Sequence, residues 1–266
     1  MEPELKVKTK TAFLPYSTAE NNTSVSYKKV LKKLGYKIIQ QTKLQLKQEH
    51  PWKGSDVIIP PTIVTEENFV SRMIELTKFD EYKSVFYALE IARFTHLNQK
   101  RSSGISHYMG HILPTAQYYL VTRDLLNQKI KKYLLIACLL HDVLEDSNGS
   151  VAVFASTETK YCLKEKISDR AVELINILTK KKIGNRDTFM KKYTEGITKD
   201  KEACLVKSID RILNLSSDVE LHKNRSDGKI KRYLEETDLY YMNIFDNAPK
   251  YYREVLDIVL KTIKIY

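Results

Sequence analysis

The chain has 266 residues, of which 42% are apolar and 29% charged, enough to fill the core of one large or two small globular domains. Its 44 basic and 33 acidic residues give a net charge of +11, which suits an anionic partner such as a nucleotide, nucleic acid or a membrane surface. Three widely spaced cysteines exclude a disulfide framework or zinc knuckle, and no apolar run approaches the ~18 residues of a membrane span, so we expect an unsecreted, cytoplasmic protein that does not enter a membrane.

The N-terminal quarter is predicted to form a basic, partly helical extension. Residues 1–65 hold eleven lysines and five acidic residues but no arginine, the residue that makes bidentate contacts in specific nucleic-acid recognition, so we expect no specific nucleic-acid partner. Apolar residues recur at helical spacing from Tyr27 to Gln48, and a proline-rich stretch at 50–65 reads as a linker. This predicts two parts, residues 1–65 and 66–266. A docking arm, an oligomerisation helix and a lid all remain possible roles for the first part.

Beyond the linker, the pattern is helical almost throughout, with no convincing strand alternation. This predicts an all-α bundle. Thr65 is expected to cap the first of its helices. The other predicted helices cover residues 83–96, 111–125, 132–145, 168–178 and 201–215, with two more between 229 and 265.

The fourth of these helices ends in an unusual run of ionisable residues, His-Asp-x-x-Glu-Asp. On a helix that turns about 100° per residue, Asp142, Glu145 and Asp146 share a face, and His141 can lean towards the same point. Three clustered carboxylates repel one another unless a cation joins them. The pattern therefore indicates either a solvated helix end or a divalent metal site.

Two other polar residues gain interest from that possibility. His111 lies near a helix start, where most histidines are simply satisfied polar groups. Asp210 lies on an apolar helix four residues before Asn214, so the two share a face. A solvated face, or an ion pair with Arg211, would also explain Asp210.

Four segments, in this order, resemble the hydrolase domain of the Rel/Spo alarmone enzymes, a branch of the His-Asp (HD) phosphohydrolase superfamily. They are residues 96–104 (HLNQKRSSG), 108–111 (YMGH), 141–146 (HDVLED) and 207–215 (KSIDRILNL). The resemblance covers residues 66–266 and leaves no room for a synthetase domain. It is therefore to the small, hydrolase-only members, whose closing helices resemble the segment KRYLE at 231–235.

The resemblance implies an HD-domain helical bundle that hydrolyses the 3′-diphosphate of guanosine tetra- or pentaphosphate, the alarmones of the stringent response, to GDP or GTP and pyrophosphate. It also implies one bound Mn²⁺ ion and a small-molecule nucleotide substrate. The implied roles are metal binding by His111, His141, Asp142 and Asp210, catalysis by Glu145 and Asp146, and substrate binding by Arg101, Asn214 and Tyr233.

The chain departs from the family pattern at Asn98, Ile112 and Leu213 and throughout residues 180–199. Because some of these positions shape the nucleoside pocket in relatives, guanine specificity stays open. The alternative is an HD phosphohydrolase that acts on a deoxynucleotide, a nucleoside monophosphate or NADPH. A third reading is a non-catalytic nucleotide sensor. His107, four residues before His111, is either a further metal ligand or a turn residue, and the sequence indicates no oligomeric state.

Overall fold

The computed structural model of the protein describes residues 63–80, 82–101, 104–146, 167–181, 184–221 and 227–263. Within these ranges the chain forms helices and no β-strand; an isolated bridge pairs Lys100 with Ser106. The predicted all-α fold is confirmed. The N-terminal helix and nearly all of the linker fall outside the described residues, so the boundary at residue 65 stays a prediction.

The N-terminal helices of the bundle follow the predicted pattern. Helix α1 (Glu66–Leu76) begins at Thr65, whose Oγ1 accepts a hydrogen bond of 3.2 Å from the amide of Asn68. It packs against α3 (Leu113–Leu125), and α2 (Lys83–Thr95) packs against α4 (Lys132–Leu140). The predicted capping residue is confirmed.

Helix α4 is the apolar centre of this half of the bundle. All seven residues from Leu134 to Leu140 are buried, because α2, α3 and α6 (Asp169–Leu178) cover the helix on different sides. The predicted helix over 132–145 is interrupted, since residues 141 and 142 form a turn before the short helix α5 (Val143–Asp146). The motif therefore begins at the end of a buried helix and continues on a second one.

Helix α7 (Arg186–Thr198) was not among the predicted helices. Its cap is Asn185, whose side-chain oxygen accepts from the amide of Thr188 at 2.9 Å. The buried side of the helix carries Met190, Tyr193, Thr194 and Ile197. Those residues have the i, i+3, i+4, i+7 spacing of an amphipathic helix, a signal present in the sequence.

Helix α8 (Lys201–Leu221) is the long central element and extends beyond the predicted end at residue 215. It contacts α3, α7, α10 (Met242–Asn247) and α11 (Lys250–Ile263). Two helices were predicted between residues 229 and 265. The structure has three α-helices there, α9 (Asp227–Glu236), α10 and α11, with a π-helical turn at Thr237–Tyr241 between α9 and α10. Within the described part of the chain, no helix is both long and apolar enough to cross a membrane.

Candidate metal centre and nucleotide pocket

His111 lies on a π-helical turn (Tyr108–Ile112) that leads into α3. The turn passes close to the preceding loop, because a Cβ atom on Gly110 would lie 2.9 Å from the Ile105 side chain. Single π turns are frequent at functional sites because they redirect a side chain within a helix. Here the turn carries an imidazole that is 1% exposed.

The turn after α4 brings His141 and Asp142 towards His111. The Nδ1 atom of His141 donates a hydrogen bond of 2.9 Å to the Cys138 carbonyl, three residues back. Because a carbonyl oxygen only accepts, this bond assigns the proton to Nδ1, and the imidazole turns its Nε2 atom towards the neighbouring helices. Such a backbone contact is the arrangement that orients metal-binding histidines.

Four buried or nearly buried donors converge between α3, α4 and α8. The Nε2 atom of His111 lies 2.9 Å from Asp210 Oδ1, 3.2 Å from His141 Nε2 and 3.5 Å from Asp142 Oδ2. One donor atom from each residue lies within 4.8 Å of the other three. Two imidazoles and two carboxylates form a mixed donor set that suits a divalent transition-metal ion. The structure thus brings together the four residues predicted as metal ligands.

The two carboxylates of this group are strongly acidic. Burial raises their pKa values, but the positive neighbours outweigh burial and hold both well below the usual range. For Asp142 the main neighbour is His141. For Asp210 it is Lys207, whose buried Nζ lies 2.7 Å from Oδ2. Both carboxylates therefore stay ionised and available to a cation.

His141 is the proton-bearing member of the group. Burial lowers the pKa of this imidazole, but the adjacent Asp142 and Asp210 carboxylates raise it to about 9. The pKa of Lys207 is likewise raised above its usual range, since Asp210 outweighs the effect of burial. At neutral pH the metal-free site therefore contains two positive groups, His141 and Lys207, and two negative groups, Asp142 and Asp210.

We predict that metal binding expels a proton from this site. A cation needs the Nε2 lone pair of His141, so below pH 9 binding must displace about one proton, and affinity should rise about tenfold per pH unit between pH 7 and 8. Above pH 9 the dependence should flatten. Calorimetric titration with Mn²⁺ in buffers of different ionisation enthalpy measures the released proton. A pH-independent affinity from 7 to 8 would contradict the prediction.

A pocket of about 400 Å³ lies next to the donor group, and three of its four members, His111, Asp142 and Asp210, line the pocket. It also presents positively charged and aromatic side chains, namely Lys180, Arg186, Lys207, Arg211, Arg232, Phe189, Tyr233 and Tyr241. Cations pair with phosphate oxygens, and rings provide flat surfaces against which a base can stack. The pocket therefore suits a phosphorylated ligand that carries an aromatic ring.

Glu145 and Asp146, the predicted catalytic pair, both line this pocket. The Glu145 carboxylate accepts a hydrogen bond of 2.7 Å from the Lys180 backbone amide and lies 3.3 Å from its ammonium group. Asp146 Oδ2 lies 3.7 Å from His107 Nε2. Burial, and repulsion from Asp142, raise the pKa of Asp146 to about 6. A carboxyl group with that pKa can exchange protons near neutral pH.

The three predicted substrate-binding residues lie at two places. Arg101 donates to the side-chain oxygen of Asn214 at 3.3 Å, and the amide nitrogen of Asn214 donates to Asp210 Oδ1 at 2.7 Å. These two hydrogen bonds connect the turn after α2 to the metal-ligand group. Tyr233 lines the pocket on α9, with the Arg211 guanidinium 5.0 Å from its ring centroid.

Three residues that shape the pocket were not predicted as site residues, namely Lys207, Arg186 and Glu236. Lys207 stands three residues before Asp210, a spacing that places the two side chains on one helix face. Arg186 lies on the unpredicted helix α7 and pairs with Glu236 of α9. That pair joins distant helices, and no local spacing in the sequence indicates it.

We compared the chain with known proteins by sequence and by structure. No protein-family model matches the chain. Over 224 residues the chain is 28% identical to a guanosine-3′,5′-bis(diphosphate) 3′-pyrophosphohydrolase of Borreliella burgdorferi; the match covers 73% of this chain but 30% of that protein. A metazoan ortholog of SpoT that hydrolyses ppGpp superposes with a TM-score of 0.57 and 18% identity, over 71% of this chain and all of that one.

The two comparisons concern different levels of similarity. The structural match shows that the described helices adopt the fold of a SpoT-type hydrolase. The sequence match extends over most of the chain, yet the chain spans less than a third of that longer relative. In both sequence and fold, the chain resembles the ppGpp 3′-pyrophosphohydrolases that the four motif segments predicted.

Proposed function

We propose that the chain is a metal-dependent hydrolase that removes the 3′-diphosphate of guanosine tetra- or pentaphosphate, releasing pyrophosphate and GDP or GTP. The observation that carries the proposal is the convergence of His111, His141, Asp142 and Asp210 next to a pocket that lysine and arginine side chains help to line. The names of the sequence relative and the structural neighbour, both of which act on ppGpp, support the choice of substrate.

We propose one Mn²⁺ ion as the cofactor of these four residues, because the mixed imidazole and carboxylate set suits it. When bound, such an ion lowers the pKa of a water molecule and shields the charge of the phosphoryl group under attack. Asp146, with a pKa of about 6, accepts the proton of the attacking water. Glu145 orients that water. Through its hydrogen bonds to Lys180, it also holds the Lys180 ammonium group at the pocket wall.

The substrate would be held by groups that surround the donors. Lys180, Arg186 and Arg232 carry positive charge on the pocket wall, where the two diphosphates of the alarmone need charge compensation. Tyr233 offers its ring to the base. Asn214 and Arg101, already bonded to each other next to Asp210, would bind the ribose or the 3′-diphosphate.

An HD phosphohydrolase for another nucleotide is the second candidate. The observation that favours it is the pocket wall formed by α7, which contributes Arg186, Phe189 and Met190. This helix lies within residues 180–199, the part of the chain that departs from the family pattern. A deoxynucleotide, a nucleoside monophosphate or NADPH would then be the substrate.

A panel of these nucleotides, each with Mn²⁺, Mg²⁺ or a chelator, tests the proposal. We expect pyrophosphate and GDP from guanosine tetraphosphate with Mn²⁺, and no product with the chelator. Turnover of another nucleotide alone would establish the second candidate. Equilibrium binding of guanosine tetraphosphate without turnover would identify a sensor and overturn the hydrolase.

We also propose a cytoplasmic setting for this reaction. Cys138 and Cys204 are buried free thiols, and burial raises the pKa of both, which keeps them protonated and unreactive. Free thiols are typical of a reducing compartment.

A further inference from the structure

The metal-ligand group continues into a row of four imidazole rings. The ring centroids of His96 and His107 lie 5.0 Å apart, those of His107 and His111 5.0 Å, and those of His111 and His141 5.2 Å. His111 and His141 belong to the first donor group. The other two histidines have no role in the proposed single-ion mechanism.

His107 lies between the carboxylates of the motif. Its Nε2 atom is 3.4 Å from Asp142 Oδ2 and 3.7 Å from Asp146 Oδ2. This nitrogen is buried and has no hydrogen bond of good geometry to any described residue. The same Asp142 oxygen lies 3.5 Å from His111 Nε2 and 3.4 Å from His141 Nε2. One oxygen of Asp142 therefore lies near imidazole nitrogens of His107, His111 and His141.

His96 is wholly buried, and the hydrogen bonds around it fix its tautomer. Gln99 donates from its amide nitrogen to the Asp146 carbonyl at 3.2 Å, so its oxygen faces His96 Nδ1 at 2.7 Å. Nδ1 must then be the protonated nitrogen, and Nε2 keeps its lone pair. That Nε2 is buried and has no hydrogen-bond partner among the described residues. His96 Nδ1 also lies 3.8 Å from Asp146 Oδ2, so this ring stands next to the carboxylate of the motif while its Nε2 lone pair stays free to bind a metal ion.

We propose that His96, His107 and Asp146 form a second site for a divalent transition-metal ion, with Asp142 as the carboxylate shared with the first site. One donor atom from each of the three residues lies within 4.8 Å of the other two. Two imidazoles and a carboxylate suit the same class of ion as the first donor group. The site would make this chain a two-metal protein in which Asp146 is a ligand, so the proton-accepting role proposed for Asp146 above applies to the protein that holds the first ion alone.

A second ion at this place would alter the electrostatics of the pocket. In two-metal phosphoesterases the ions lie about 3.5–4 Å apart and together stabilise the attacking and the leaving oxygen. His107 and Asp146 both line the pocket, so an ion held there would face the same ligand as the first ion. The second metal site depends only on its donor residues, so a different nucleotide substrate would not affect this proposal.

Manganese counting on the full chain tests the second site without an activity measurement. The metal-free protein is equilibrated with rising Mn²⁺ concentrations, and bound manganese is measured by elemental analysis and by electron paramagnetic resonance. We expect two ions per chain in the wild type, with the broadened spectrum of a coupled pair. His107→Asn should bind one ion with an isolated-ion spectrum. The control Asp238→Asn changes an exposed carboxylate that belongs to neither donor group, and this variant should retain two ions.

One ion per chain in the wild type throughout the titration would overturn the proposal. So would two ions in a folded His107→Asn protein. Should that variant fail to fold by circular dichroism, Asp146→Asn replaces it, because this side chain is 35% exposed and its substitution does not disturb the core. One ion in Asp146→Asn supports the site, and two ions refute it.

Discussion

Asp142→Ala is expected to lower the rate of pyrophosphate release by at least about 10³-fold, because metal-ion catalysis supplies several kcal/mol of transition-state stabilisation. The Asp142 carboxylate lies 3.5 Å from His111 Nε2 and 3.4 Å from His141 Nε2, so its loss opens the centre of the donor group. Initial rates at saturating Mn²⁺, together with the bound manganese per chain, measure the effect.

Two further variants separate charge from shape. Asp142→Asn keeps the side-chain volume but not the negative charge, and it should lose nearly as much activity as the alanine variant. Asp238→Asn removes a carboxylate that is exposed in the structure, and it should keep wild-type rates. Near-normal activity in a folded Asp142→Ala protein would exclude Asp142 from the reaction.

The helical pattern of the sequence was sufficient to predict most of the fold. Thr65 caps α1 as expected, because an N-cap depends on residues within one turn. The missed helix α7 has an apolar stripe at helical spacing, but its sequence also holds Gly196 and three threonines, which are weak helix formers. The break after α4 could not be predicted from periodicity, since Val143 continues the apolar pattern.

Less of the candidate site than of the fold could be predicted from the sequence pattern. His111, His141 and Asp210 come from separate helices, and only the family resemblance connected them before packing brought their donor atoms together. The position of His107 between two carboxylates depends on the π turn, which has no sequence signal. Lysine is almost never fully buried, so a local pattern would place Lys207 in solvent, although it is 4% exposed.

Lys207→Met is expected to cost the metal-free protein about 3–5 kcal/mol in free energy of unfolding, because it leaves a buried carboxylate without its cation. Lys207 Nζ lies 2.7 Å from Asp210 Oδ2, and both side chains are 4% exposed. Its ammonium group also lies 5.5 Å from the ring centroid of Tyr193 and 5.9 Å from that of Tyr241. Urea unfolding in the presence of a chelator measures the loss.

Saturating Mn²⁺ should recover part of this loss, because a bound cation replaces the missing positive charge beside Asp210 and binds only the folded state. The double variant Lys207→Met/Asp210→Asn removes both charges and should be more stable than Lys207→Met alone in the chelator, which a double-mutant cycle quantifies. Lys191→Met breaks an exposed pair with Asp187 and should barely change stability. If Lys207→Met unfolds at the same urea concentration as Lys191→Met, with and without metal, Lys207 does not compensate the charge of the metal-ligand group.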